Sequence, residues 1–138
     1  MESKPIIAID DDDEDLELIT DALSALQVQN QVICFNKSVK ALEYLKTSSD
    51  QPFFILCDIN MPVIDGLTLR KKIYEDEKLL AKSIPFLFLS TSKSEQFVAK
   101  AYSLYVQGYF KKPDDFEVLK ELLQNIITYW KNCYRPKV

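Results

Sequence analysis

A chain of 138 residues is the size of one ordinary domain with its own core, and 47% hydrophobic with 28% charged residues is a globular composition. The net charge of −4 argues against a nucleic-acid surface, which needs clustered Lys and Arg, and no apolar stretch approaches the length of a membrane span. Histidine is absent, which excludes Ser-His-Asp and Cys-His catalysis, imidazole metal ligation and a phosphohistidine carrier.

The N-terminal residues Met1 to Pro5 lead into only four apolar residues, Ile6 to Ile9, before a run of acids from Asp10 to Asp15. That is too short for the apolar region of a signal peptide and reads instead as a buried strand. Leu16, Ile19, Leu23 and Leu26 then recur at helical spacing, with Asp12 or Asp13 as N-cap and acids favouring the first turn. Gln31 to Phe35 is a short second strand, and Ser38 opens a helix carrying Leu42 and Leu45. The third strand, Phe53 to Cys57, ends at Asp58, and Asp65-Gly66 supplies a turn before a helix through Leu69 and Ile73.

Pro85 precedes the fourth strand, Phe86 to Leu89, which ends at Ser90. Ser92 and Glu95 have capping-box spacing ahead of a helix from Ser94 to Gln107 with Phe97, Ala101, Leu104 and Tyr105 on one face. Gly108 fits the position just past that helix, and a fifth strand through Tyr109 and Phe110 runs to Lys111. Asp114 and Glu117 repeat the capping-box spacing before a last helix with Leu119, Leu122, Leu123, Ile126 and Trp130. Five strands alternating with five helices predict a parallel sheet covered on both faces. Cys34 and Cys57 lie inside apolar runs and read as small buried hydrophobes; three cysteines with no metal-ligand spacing suit a reducing cytoplasm.

The chemistry sits directly after the apolar runs. In an open α/β sheet, ligands gather outside the carboxyl ends of the strands. Asp10-Asp11, Asp58, Ser90 and Lys112-Pro113 would therefore meet on one rim. Hard oxygen ligands favour Mg²⁺ or Mn²⁺, with waters and a phosphate completing the shell. An aspartate can attack phosphorus only with cationic help, which a metal and Lys112 would supply, while Ser90 could donate to the acquired group. An EF-hand starting at Asp10 fails, since Asp15 stands where Gly is needed and Asp21 where Glu is needed. Asp13, Glu14 and Asp15 read as ordinary helix acids.

This ordered set closely resembles the receiver domain of two-component signalling, the CheY-like class. The acid pair, Asp58-Ile59-Asn60-Met61-Pro62 with Gly66 eight residues past Asp58, Ser90 and Lys112-Pro113 all match, and the resemblance covers essentially the whole chain. It implies a flavodoxin-like α/β fold, a five-stranded parallel sheet of order 2-1-3-4-5 with five helices, two on one face and three on the other. It implies that Asp58 accepts phosphate from a partner histidine kinase or histidine phosphotransfer protein. Asp10, Asp11, Asp58 and the backbone carbonyl of Asn60 would hold the metal. Ser90 would be the switch hydroxyl, Lys112 the essential lysine and Tyr109 the switch aromatic; Tyr109 also reads as a strand residue packed on the last helix.

Two features depart from the family pattern. Thr91 follows Ser90 where a small residue is common, which bears on access to the phosphate, and the stretch from Ile127 to Tyr134 is unusually aromatic. The expectation is a single receiver domain over 1–138 without an output domain, cytoplasmic, binding neither nucleic acid nor membrane. It would signal to a second copy or a downstream protein through helix 94–107, strand 108–111 and the last helix. A Mg²⁺-dependent aspartyl phosphatase would need a second Asp where Asn60 stands, and a fixed adaptor would have no need of the retained Asp10, Asp11, Asp58, Ser90 and Lys112.

Overall fold

A computed structural model describes residues 4–137. Five parallel strands, β1 (Ile6–Ile9), β2 (Val32–Phe35), β3 (Phe54–Cys57), β4 (Phe86–Ser90) and β5 (Gly108–Lys111), form one sheet in the order β2-β1-β3-β4-β5. Six helices accompany them: α1 (Asp13–Ala25), α2 (Ser38–Thr47), α3 (Gly66–Glu75), α4 (Glu77–Ala81), α5 (Glu95–Ser103) and α6 (Phe116–Lys131). The sheet order is the expected one. Every side chain of β1, β3 and β4 is buried, because helices cover both faces of the central strands, whereas β2 and β5 at the edges are partly exposed.

Strand parity sorts the core into two layers. Ile6, Ala8, Phe54, Leu56, Leu87 and Leu89 face α1 and α6, meeting Leu16, Leu23, Leu119, Leu123 and Ile126. Ile7, Ile9, Ile55, Cys57, Phe86 and Phe88 face the other way, against Ala41, Leu45, Leu69, Ile73, Leu79 and Ala101 of α2 to α5. The tally is thus two helices on one face and four on the other, not three. The additional element is the five-residue α4, too short to display a helical period. Asp76 ends α3 and starts α4, accepting the Leu79 N–H at 3.0 Å, and Leu79 anchors the turn in the core.

Other expectations shift by a residue or more. The N-cap of α5 is Ser94, whose Oγ accepts the Phe97 N–H, while Ser92 Oγ accepts the N–H of Ser94 itself at 3.3 Å. Asp115, not Asp114, caps α6. Helix α5 stops at Ser103 rather than Gln107, and Tyr105 takes the left-handed conformation (φ 59°) that ends it; its side chain is exposed, not on the apolar face. Gly108 is the first residue of β5 and has no positive φ. It is small for a different reason: a Cβ there would lie 2.9 Å from the Phe110 ring and 3.3 Å from Leu87. Cys57 is buried as expected, while Cys34 on edge strand β2 is exposed.

Candidate phosphoryl and metal site

Register builds the site. Ile9 pairs with Cys57 across β1 and β3, so the residues that follow them, Asp10 and Asp58, emerge side by side. Ser90 pairs with Lys111 across β4 and β5, and the Lys112 N–H continues the ladder to the Ser90 carbonyl at 2.9 Å. The backbone N–H of Asp58 bonds the Ile9 carbonyl at 2.9 Å, and that of Asp10 bonds the Phe35 carbonyl at 3.1 Å. Both acids are therefore fixed at the backbone by the sheet.

Asp10, Asp58 and Ser90 are buried, Lys112 is half-buried, and Asp11 is exposed. One carboxylate oxygen from each of Asp10, Asp11 and Asp58 lies within 4.8 Å of the others. All the donors are hard oxygens, and exposed Asp11 leaves the group open to water, so this set fits a small divalent cation. The Lys112 ammonium stands at 2.7 Å from Asp10 Oδ2, 2.8 Å from Asp15 Oδ2 and 3.6 Å from Asp58 Oδ2.

Burial pushes the Asp10 carboxyl up to about 6, against the opposing pull of Lys112 and the Asp12 N–H. Asp58 is likewise raised by burial, with the Lys112 charge opposing. Burial alone would lower Lys112, but its contacts with Asp10 and Asp15 outweigh that and raise it. Among the described residues of the site, the carboxyl groups of Asp10, Asp11, Asp15 and Asp58 outnumber the single ammonium of Lys112.

The β3–α3 loop is anchored by Ile59 and Met61, both in the core, while Asn60 and Pro62 are exposed. The Pro62 carbonyl accepts the Ile64 N–H at 2.8 Å across Val63, a three-residue turn at φ 68°. A β-branched residue at positive φ is strained. The Ser38 hydroxyl donates to the Ile64 carbonyl, Gly66 N–H donates to the Ile59 carbonyl at 2.8 Å, and Asp65 caps α3.

On the far side, Ser90 Oγ accepts the Ser92 N–H at 3.3 Å and the Tyr109 hydroxyl donates to the Ser92 carbonyl at 2.8 Å. Tyr109 packs over Phe88, ring centroids 5.9 Å apart, in the layer beneath α5. Its expected packing against the last helix is incorrect, because that helix lies on the opposite face of the sheet. Thr91 is exposed at the start of the β4–α5 loop, and Pro113 follows Lys112 partly buried.

The structure thus brings Asp10, Asp11, Asp58 and Lys112 into one cluster, with Ser90 at the adjoining strand end. Sequence reasoning missed Asp15, which contacts Lys112. No local signal marked it, because its partner lies 97 positions away and its neighbours in the run are acids as well.

Residues 6–124 match the response regulator receiver domain family. The chain is 30% identical over 129 residues to a probable methanogenesis regulatory protein, FilR2, of Methanothrix harundinacea, a match covering 91% of this chain and 82% of that one. Among solved structures, the phosphorylated cyanobacterial phytochrome response regulator RcpA superposes with a TM-score of 0.88 at 28% identity, covering 99% of this chain and all of that one. The Mn²⁺-bound form of response regulator Rcp1 gives 0.83 at 26% identity, covering 98% of this chain and 99% of that one. Among the described residues, no helix is long and apolar enough to cross a membrane. With the family match spanning most of its length and the sheet order and rim acids in register, the chain belongs to the response regulator receiver domain family.

Proposed function

We propose that this chain is a phosphoryl-accepting switch whose acceptor is Asp58. The observation that carries the reading is the buried Asp58 carboxylate set beside Asp10 and Asp11, with the Lys112 ammonium 3.6 Å away. An Asp58 oxygen attacks phosphorus, and the new O–P bond forms as the N–P bond of a partner's phosphohistidine breaks. The electron pair returns to the imidazole nitrogen, which takes a proton. Because this chain has no histidine, the donor belongs to a histidine kinase or a histidine phosphotransfer protein.

Asp10, Asp11 and Asp58, with the Asn60 backbone carbonyl, would hold Mg²⁺ or Mn²⁺; when bound, the metal neutralises phosphoryl oxygens and relieves the crowding of the three acids. Lys112 supplies the cation on the β5 side, and Ser90 supplies a hydroxyl to the acquired group. The chain acts on itself rather than on a separate substrate. Its three free cysteines suit a reducing cytoplasm.

Output then travels by protein contact. Tyr102 in α5 and Tyr105 just past it, together with Val118 and Tyr129 on α6 across the sheet, are exposed large side chains. A second copy or a downstream protein docking there responds to phosphorylation only through different affinities for the two states.

The direct test is intact mass spectrometry after incubation with Mg²⁺ and acetyl phosphate. Wild type gains a phosphoryl mass, while Asp58→Ala remains folded and gains none. Phosphorylation of the variant at another carboxylate overturns the assignment.

A further inference from the structure

Each acid of the run from Asp10 to Asp15 has its own environment, and Asp15 is the exceptional one. Asp12 caps α1 by accepting the Glu14 N–H at 2.9 Å. Asp13 Oδ1 accepts the Asn36 amide at 3.2 Å. Glu14 is exposed, and no ion pair includes it among the described residues. Asp15 instead accepts a hydrogen bond from Lys112 Nζ at 2.8 Å, across 97 positions of sequence. Its side chain is 32% exposed and that of Lys112 only 14%, so the pair is screened less than a surface pair.

The distances are unequal in a telling way. Lys112 is in close contact with Asp15 but stands 3.6 Å from Asp58, beyond hydrogen-bond reach. Asp10, its other close partner, belongs to the three-acid cluster, whereas Asp15 does not. Among the described residues, Asp15 is therefore the one close anion of Lys112 outside the candidate metal set.

We propose that Asp15 is a positioning residue that holds the Lys112 ammonium against α1 until a phosphoryl group on Asp58 draws it inward, so that the Asp15–Lys112 contact opposes the phosphorylated state. Two effects act in the same direction. Moving the ammonium toward Asp58 stretches the Asp15 contact, and the Asp15 carboxylate repels the added phosphoryl charge across a poorly screened gap. Removing the Asp15 charge therefore stabilises the phosphoryl-bound form relative to the resting one. The inference rests on the assignment of Asp58 as acceptor.

The test compares wild type, Asp15→Asn and Glu14→Gln, the last removing an equal charge from the same helical turn without touching Lys112. Asp12 still caps α1 in both variants, and thermal melts establish that they fold. Fluoroberyllate with excess Mg²⁺ stands in for the phosphoryl group, and its affinity is read by NMR titration. Asp15→Asn is expected to bind about three- to ten-fold more tightly than wild type, the weight of a partly exposed ion pair, with Glu14→Gln near wild type. In metal-free protein, the ¹⁵N resonance of the Lys112 ammonium should move in Asp15→Asn and stay in place in Glu14→Gln. Unchanged or weaker fluoroberyllate binding by Asp15→Asn, an equal gain in Glu14→Gln, or an unmoved Lys112 resonance overturns the proposal. Failure of wild type to bind fluoroberyllate at Asp58 would instead defeat the acceptor assignment, and the metal-free resonance would still report on the Asp15 contact.

Discussion

Gly66 lies directly against the backbone of Asp58: a Cβ at Gly66 would stand 2.2 Å from the Asp58 carbonyl oxygen and 2.9 Å from both Ile59 Cα and the Phe88 ring. The first helical residue of α3 is thus packed under the strand end that carries Asp58. Two of the three obstacles are backbone, which cannot swing aside. Gly66→Ala should lower stability by about 2 kcal/mol or more, as overpacking does, and should weaken Mg²⁺ binding because Asp58 must shift. Chemical denaturation with a parallel Mg²⁺ titration checks both. A variant with wild-type stability would mean that the loop yields without cost.

The rim of the sheet was legible in the sequence because each buried strand is a nearly continuous apolar run broken by one polar residue. Asp10, Asp58 and Ser90 end such runs, and parallel register then aligns them. Asp15 was not legible, because its partner lies 97 positions away and nothing local separates it from capping acids. Helix α4 was missed because five residues held by one cap and one buried leucine carry no period. The glycines were read as turn markers, yet neither has positive φ; Gln27, Val63, Ser83 and Tyr105 take that conformation instead. Tertiary contact decided those positions. Gly66 and Gly108 are glycine because a neighbour occupies the space of a Cβ.

Acidity should act on the metal-free and the metal-bound protein in opposite senses. The folded-state pKa of Asp10 is about 6, above its ordinary value of 3.8, because the carboxylate is buried, and Asp58 is raised for the same reason. A raised carboxyl binds its proton more tightly in the folded chain than in the unfolded one. This contribution therefore increases the stability of the metal-free protein as pH falls from above about 6 toward 3.8. Mg²⁺ needs the ionised groups, so the stabilisation it adds is largest near neutrality and is lost as pH falls through about 6. Melting temperatures with and without excess Mg²⁺ should converge on acidification. Asp10→Asn should flatten the metal-free dependence and sharply reduce the Mg²⁺ effect at neutral pH. A constant Mg²⁺ increment across this range would rule out Asp10 as a ligand.

Ser90 and Tyr109 hold opposite sides of the same residue, the hydroxyl of one accepting the Ser92 N–H and the hydroxyl of the other donating to the Ser92 carbonyl. Ser92 is therefore a mechanical link between the buried strand end beside Asp58 and the half-buried ring next to α5. If Ser90 Oγ turns toward a phosphoryl group, Ser92 loses the tether on its N–H, and Tyr109 is free to follow. Ser90→Ala should cost about 0.5–1.5 kcal/mol, the worth of one hydrogen bond, and should still accept phosphate, since Asp58 and Lys112 are untouched. Its conformational response should fall: the Tyr109 ring resonances are expected to shift in wild type on adding fluoroberyllate with Mg²⁺ and to shift less in the variant. Phe in place of Tyr109 should leave phosphorylation intact while removing the Ser92 carbonyl tether, separating the two halves of the link. Full phosphorylation-dependent shifts around Ser92 and position 109 in Ser90→Ala would show that the signal leaves Asp58 by another route.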